Sequence, residues 1–192
     1  MSIGGEVILI VDFGSQYAHL IARRVRELKV YTEIVFPEIT VPEIEKISPK
    51  GIILSGGPRS VYEKDSPLLS DEVFDFILKK EIPVLGICYG HQLIAFKMGG
   101  IVKGEKRKEY GIATVDILDS EGIFKDLDKK ETVWMSHGDQ VFEIPPGFIV
   151  TSKTETSPIA AFRNTSKKIY GLQWHPEVVH TKNGKKILSN FV

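Results

Sequence analysis

Apolar residues fall in short unbroken runs in the first half of the chain and in shorter, interrupted runs in the second. Val7-Ile8-Leu9-Ile10-Val11 is continuous and largely β-branched, the pattern of a strand covered on both faces in a parallel sheet. Tyr17, Leu20, Ile21, Val25 and Leu28 then recur at helical spacing. Tyr31 to Phe36 reads as a second strand. Val41 to Ile47 reads as a short helix with Pro42 in its first turn, and Gly51 to Leu54 as a third strand. Leu69, Val73, Phe76 and Ile77 mark another helix, and Pro83 to Ile87 a fourth strand. Strands alternating with helices predict right-handed βαβ units around a parallel sheet.

The second half changes character. Ile112–Leu118, Thr132–Met135, Phe148–Ser152, Ile159–Phe162 and Ile169–Gln173 read as short strands separated by turn residues. Some of them should pair antiparallel. The expectation is therefore an α/β fold with a mixed, mostly parallel central sheet. Asn183 to Val192 is expected to be helical and carries no terminal capping signal. That favours a single domain, residues 1–192, forming the N-terminal part of a longer two-domain protein.

Composition adds bounds. With 192 residues, 42% of them hydrophobic and 26% charged, the chain can bury one core. Lys plus Arg equals Asp plus Glu at 25 each, so nothing points to nucleic acid or an anionic membrane. The first segment, Met1 to Asp12, is too short and lacks the basic start of a leader or membrane span. One cysteine allows no internal disulfide, which suits a reducing cytoplasmic location.

That cysteine carries the chemistry. Cys88 follows an apolar run inside Gly86-Ile87-Cys88-Tyr89-Gly90, and a helical pattern follows it. A strand, a sharp turn and a helix N-terminus in that order expose a nucleophile and favour its thiolate. Two glycines let the three pieces approach closely. In Gln173-Trp174-His175-Pro176-Glu177 the proline keeps the chain extended. Alternation then puts His175 and Glu177 on one side, where Glu177 can orient His175 and leave its other nitrogen for Cys88. Ser55-Gly56-Gly57-Pro58 ends the third strand on the same carboxyl edge of the sheet. The N–H of Gly57, with that of Tyr89, could hold an oxyanion there. Trp134 to Asp139 reads as a strand entering a polar loop, and its His137 is the one alternative base.

Together these four segments resemble the class I, triad-type glutamine amidotransferases, from about Ile8 to the end of the chain. The resemblance implies a flavodoxin-like three-layer fold. It implies L-glutamine as substrate, with Cys88, His175 and Glu177 catalytic and the N–H groups of Gly57 and Tyr89 as oxyanion hole. Gln92, Ser136, Gly138 and Asp139 would bind the glutamine. Asp12 to Tyr17, Trp134 to Asp139 and His180 to Val192 further resemble the branch whose ammonia goes to an ATP-pyrophosphatase (synthetase) domain that adenylates XMP. That domain would be fused or separate, and only it would need ATP and Mg; this chain would need no metal or cofactor. Two positions depart from the usual pattern. Trp174 stands where phenylalanine is usual and is expected to reshape the pocket wall. His91 stands where some relatives carry methionine. A glutaminase of another branch, or a free-standing γ-glutamyl cysteine hydrolase, is the competing reading.

Overall fold

The computed structural model describes residues 5–192, apart from the side chain of Arg107. Met1 to Gly4, part of the segment judged too short for a leader, lie outside the described residues. The first half follows the hydrophobic pattern closely. Strands β1 (Val7–Val11), β2 (Tyr31–Val35), β3 (Gly51–Leu54) and β4 (Val84–Ile87) alternate with helices α1 (Ala18–Glu27), α2 (Val41–Ile47), α3 (Asp71–Lys79) and α4 (Tyr89–Lys97). The chain continues through β5 (Ile101–Ile117), β6 (Lys130–Glu143), β7 (Phe148–Lys153), β8 (Ala161–Asn164) and β9 (Ile169–Leu172), and closes with α5 (Gly184–Phe191).

All nine strands join one sheet in the order β2-β1-β3-β4-β9-β8-β7-β5-β6. Neighbours are parallel from β2 to β9 and antiparallel from β9 to β6. Only β5 and β8 therefore run against the other seven. The two faces of the sheet are covered separately. Leu9, Val11, Ile52, Leu54 and Val84 pack with Ile44 of α2, Val73 and Ile77 of α3 and Leu93 of α4. Ile8, Ile10, Ile53, Leu85 and Ile87 face the other way, onto Ile21 and Val25 of α1 and Ile187 and Leu188 of α5. Alternation along each strand thus builds the expected three layers. Helix α4 is buried along its first seven residues, Tyr89 to Ala95, because sheet, hairpin and loops surround it.

The second half differs from its sequence pattern. The segment expected as a strand over Ile112–Leu118 belongs to a 17-residue strand, and Thr132–Met135 to a 14-residue partner. The two form a long antiparallel hairpin with a register shift between Gly104 and Glu109. Ser136 to Asp139, expected in a loop, pair with Gly104, Glu109 and Tyr110 as strand. The pairing is hidden from the hydrophobic pattern because the outward Tyr110 and Ile112 are exposed, while the buried face there carries the polar His137. Ile159–Phe162 likewise shifts to Ala161–Asn164.

A tight crossing lies at the turn from β4 into α4. A Cβ on Gly86 would sit 2.5 Å from the Gly90 carbonyl group, and one on Gly90 would come closer still to the Leu54 carbonyl oxygen. Helix propensity alone would favour Gly90→Ala by about 1 kcal/mol. Collision with the β3 backbone should reverse that sign and destabilise the fold by about 1–3 kcal/mol. Urea unfolding of the variant would show a midpoint at or above the parent's if the crossing were less close than this.

Candidate active site

Parallel strands deliver their following loops to one edge. Asp12 follows β1, Ser55 follows β3, Cys88 follows β4 and Gln173 follows β9. Cys88 is the sharpest point of this edge. Its φ of 53° and ψ of −104° place a non-glycine residue in a strained region, a conformation that costs of order 1–3 kcal/mol and is held only by its surroundings. Here the holding is explicit. The Cys88 N–H donates to the Leu172 carbonyl at 2.8 Å, the Gly90 N–H to the Ser55 carbonyl at 3.1 Å and the Gln92 N–H to the Cys88 carbonyl at 3.1 Å. The side chain is 6% exposed and its thiol donates to the Ser136 carbonyl at 3.4 Å.

His175 and Glu177 meet on a segment after β9 that bends at Gln173 and Trp174 and turns at Pro176 and Glu177, so a turn and not the expected extended alternation brings them together. His175 Nδ1 lies 2.6 Å from Glu177 Oε1, and both side chains are buried. The backbone of His175 is clasped. Its N–H donates to the Trp134 carbonyl at 3.1 Å and its carbonyl accepts from the Thr181 hydroxyl at 2.6 Å. The same hydroxyl accepts from the Trp134 N–H at 3.1 Å. Arg24 Nε donates to the Glu177 carbonyl at 3.0 Å, and Tyr17 meets the imidazole edge-on with ring centroids 5.5 Å apart. Burial opposes a charge on His175, but the Glu177 carboxylate and the Cys88 sulfur outweigh it and raise the imidazole pKa to about 11.

The Ser55-Gly56-Gly57 loop lies directly against this pair. A Cβ on Gly56 would come 3.1 Å from His175 Cε1 and 3.6 Å from Cys88 Cβ, and one on Gly57 would strike the Phe13 carbonyl oxygen at 2.6 Å. The Ser55 hydroxyl accepts from the Phe13 N–H at 3.0 Å and donates to the Gly56 carbonyl at 2.9 Å, which fixes the loop against Asp12 to Tyr17. Among the described residues neither the Gly57 N–H nor the Tyr89 N–H has a hydrogen-bond partner. Tyr89 itself packs on Phe13, and its hydroxyl donates to the Pro67 carbonyl at 2.5 Å.

Two clefts meet at Cys88, Gly57, Pro58 and Ser136. One, of about 300 Å³, is walled by Gly14 to Tyr17 and His175. The other, of about 460 Å³, runs over Gln92, Gly138 and Asp139 to Arg59 and Lys108. All the residues expected to bind substrate therefore line the second cleft. Gln92 is buried, and its Nε2 donates to the Asp139 carbonyl at 2.9 Å and to Gln173 Oε1 at 3.2 Å. The Asp139 carboxylate accepts from the Ser60 hydroxyl and, at 2.9 Å, from the Tyr62 hydroxyl. These two contacts tie the loop after β3 to the hairpin. A larger cleft, of about 790 Å³, opens between β2 and α2, remote from these groups.

Three sequence expectations change. His137 lies near Cys88 but is committed elsewhere: its Nε2 is 2.8 Å from Glu109 Oε2 and its Nδ1 is 3.0 Å from the Asp139 carbonyl. Both nitrogens thus face oxygen atoms rather than the Cys88 sulfur. Trp174 does not wall the pocket. It is buried in the core with Ile21, Ile187 and Leu188 and stacks on Phe124 with centroids 5.6 Å apart. The loop expected at Ser136–Asp139 is strand, as above. Nothing local in the sequence marks Ser15, Tyr17, Arg59 or Lys108 for the site; the hairpin and the loops bring them there. His91 is a core residue, stacked on Phe162 at 4.4 Å, with burial lowering its pKa to about 3. Among the described residues no group of three or more His, Cys, Asp or Glu is placed to hold a metal ion, and no helix is long and apolar enough to cross a membrane.

A cysteine, a histidine and a carboxylate converge at the carboxyl edge of a three-layer α/β sheet, an arrangement able to support thiol-dependent acyl transfer. The chain belongs to the class-I glutamine amidotransferase family, whose model matches residues 9–192. It is 49% identical over 97% of its length to a GMP synthase [glutamine-hydrolyzing] of Brachyspira hyodysenteriae. It is 50% identical over its whole length to one of Vibrio vulnificus. In each case the chain spans 36% of that protein. Among solved structures, one described as a GMP synthase subunit from Thermoplasma acidophilum is 35% identical. It superimposes with a TM-score of 0.87 over 97% of this chain and 92% of its own. A glutamine amidotransferase of Thermotoga maritima is 26% identical, with a TM-score of 0.75 over 91% of this chain and 77% of its own.

The coupling of His175 to Glu177 has a measurable sign. Folding raises the imidazole pKa from its ordinary 6.5 to about 11. The stabilisation from the imidazolium is therefore complete below pH 6.5 and is lost as pH rises toward about 11. In Glu177→Gln burial remains and the balancing charge is gone, so the pKa should fall by several units. Following the His175 ring resonance by NMR from pH 5 to 10 checks this: no titration in the parent, a midpoint within the range in the variant.

Proposed function

We propose that this chain hydrolyses the side-chain amide of L-glutamine and delivers the ammonia to an ATP-pyrophosphatase domain that converts XMP to GMP. That domain is either a continuation of the same polypeptide or a separate subunit. The observation that carries the reaction is the meeting of the strained Cys88 with the His175–Glu177 pair beside two partnerless backbone N–H groups. Family membership and the relatives' names support the substrate. That the chain spans 36% of relatives named as GMP synthases supports the second domain.

In the proposed reaction the His175 imidazolium, held by Glu177, keeps Cys88 as thiolate, and the Cys88 sulfur attacks the amide carbon. The carbonyl π electrons move to oxygen, where the Gly57 and Tyr89 N–H groups receive the charge; such donors are each worth about 3–4 kcal/mol in related acyl transfers. Collapse expels the amide nitrogen, which leaves as ammonia with the proton from His175. Water, deprotonated by the same imidazole, then attacks the γ-glutamyl thioester and releases glutamate and the thiol. Gln92, Ser136, Gly138 and Asp139 hold the glutamine in the larger cleft. Gln92 keeps its Oε1 for the substrate, because its amide hydrogens are spent on Asp139 and Gln173. No cofactor takes part in this chain; ATP and Mg²⁺ serve the synthetase domain. A free-standing γ-glutamyl hydrolase is the second reading, favoured only by the preassembled site.

Ammonia release from glutamine separates these readings. Cys88→Ala should abolish it, while His137→Ala should retain a measurable rate. The reverse ranking would assign the base to His137. Adding a synthetase domain with XMP and ATP should accelerate the parent. Full activity of the chain alone, indifferent to that addition, would point to the free-standing hydrolase.

A further inference from the structure

The bent segment after β9 places a third side chain beside the sulfur. Gln173 lies two residues before His175 and is fully buried. Its Nε2 is 3.7 Å from Cys88 Sγ and its Oε1 accepts from Gln92 Nε2 at 3.2 Å. The orientation of this amide follows from its neighbours. A main-chain carbonyl only accepts, so Gln92 must turn its NH₂ group toward the Asp139 carbonyl, 2.9 Å away. The same NH₂ group meets Gln173, which must present its oxygen there and its own NH₂ group to the sulfur. The Asp139 carbonyl also faces His137 Nδ1, whose ring is anchored through Nε2 to Glu109. Glu109 in turn accepts from the hydroxyls of Thr154 and Thr156. From the Asp139 carbonyl through Gln92 to Gln173, each link has one allowed direction.

The polar neighbours of the sulfur pull in opposite senses. The Ser136 carbonyl, 3.4 Å away, can be satisfied only by an S–H. His175 and the Gln173 amide both favour a thiolate, since a hydrogen bond to the charged form stabilises it. We infer that Gln173 is a catalytic residue of this site, donating from its side-chain amide to the Cys88 thiolate in an orientation imposed by Gln92 and the Asp139 carbonyl. The inference rests on the reading of Cys88 as nucleophile. Other charges near the sulfur are Glu177 behind His175, and Arg59, Glu105, Lys108 and Asp139 along the larger cleft; the substitutions below leave all of them in place.

Thiol reactivity tests this without relying on glutamine turnover. Alkylation of the 192-residue chain by iodoacetamide is followed from pH 5 to 10 for the parent, Gln173→Met and Gln173→Glu, with melting temperatures recorded alongside. Gln173→Met keeps the shape and removes the donor. Its profile should move up by about one pH unit, a tenfold slower reaction at neutral pH. Gln173→Glu keeps an acceptor for Gln92 but turns a second acceptor toward the sulfur, so its profile should move further. It also serves if the Met variant fails to fold. Profiles that superimpose on the parent's, whatever the melting temperatures, overturn the inference. A parent that depends on Gln173 for thiol reactivity yet releases no ammonia from glutamine would refute the glutaminase reading and leave this one standing. A glutaminase indifferent to Gln173 would do the reverse.

Discussion

Everything at the site depends on how closely the turn carrying Cys88 lies against the end of β3. With hydrogen in place of Cβ at Gly86 and Gly90, the first turn of α4 packs onto the Leu54 carbonyl, and the Gly90 N–H reaches the Ser55 carbonyl. That contact holds Cys88 at a positive φ which the isolated chain would avoid. It also brings the Ser55-Gly56-Gly57 loop beside the sulfur and sets the Tyr89 N–H at the start of a helix, where no carbonyl of the preceding turn can take it. Strain, the placement of the thiol and the two candidate oxyanion donors are consequences of one steric fact.

The histidine is held by different means. Its position comes from a clasp of backbone hydrogen bonds among Trp134, His175 and Thr181, and its charge from burial beside Glu177. A buried imidazole would ordinarily lose its proton. The carboxylate 2.6 Å away reverses this. The contrast with the other buried histidines is instructive. His91 stacks in the apolar core and stays neutral, while His137 is saturated by Glu109 and the Asp139 carbonyl. Three imidazoles in one small domain thus differ because their nearest oxygen atoms differ.

The hairpin of β5 and β6 converts a strand-edge site into a cleft. It lays Ser136 to Asp139 over Cys88, and Asp139 reaches back through Ser60 and Tyr62 to the loop after β3. The polar line from Glu109 through His137, Asp139 and Gln92 to Gln173 crosses from this hairpin to Cys88. Such a network needs every member satisfied to be worth its burial. Glu177 Oε2 is a buried oxygen that lacks a partner in the structure, and it lies behind the imidazole.

Local pattern was sufficient for much of this. The continuous apolar runs of β1, β3 and β4 can be satisfied only by a sheet covered on both faces. Gly-x-Cys-x-Gly after such a run demands a tight turn, and His175 and Glu177 are close enough in sequence to pair, although a turn at Pro176 and not extended alternation joins them. These are short-range constraints, legible in sequence because steric exclusion acts over a few residues. The length of the hairpin was not legible, since its outer residues bury little and its register is set by backbone pairing between segments far apart along the chain. Nor was the side to which Trp174 turns, the commitment of His137 to Glu109, or the aim of the Gln173 amide. Those depend on which carbonyls and carboxylates distant segments bring within hydrogen-bonding reach, and only the folded chain decides that.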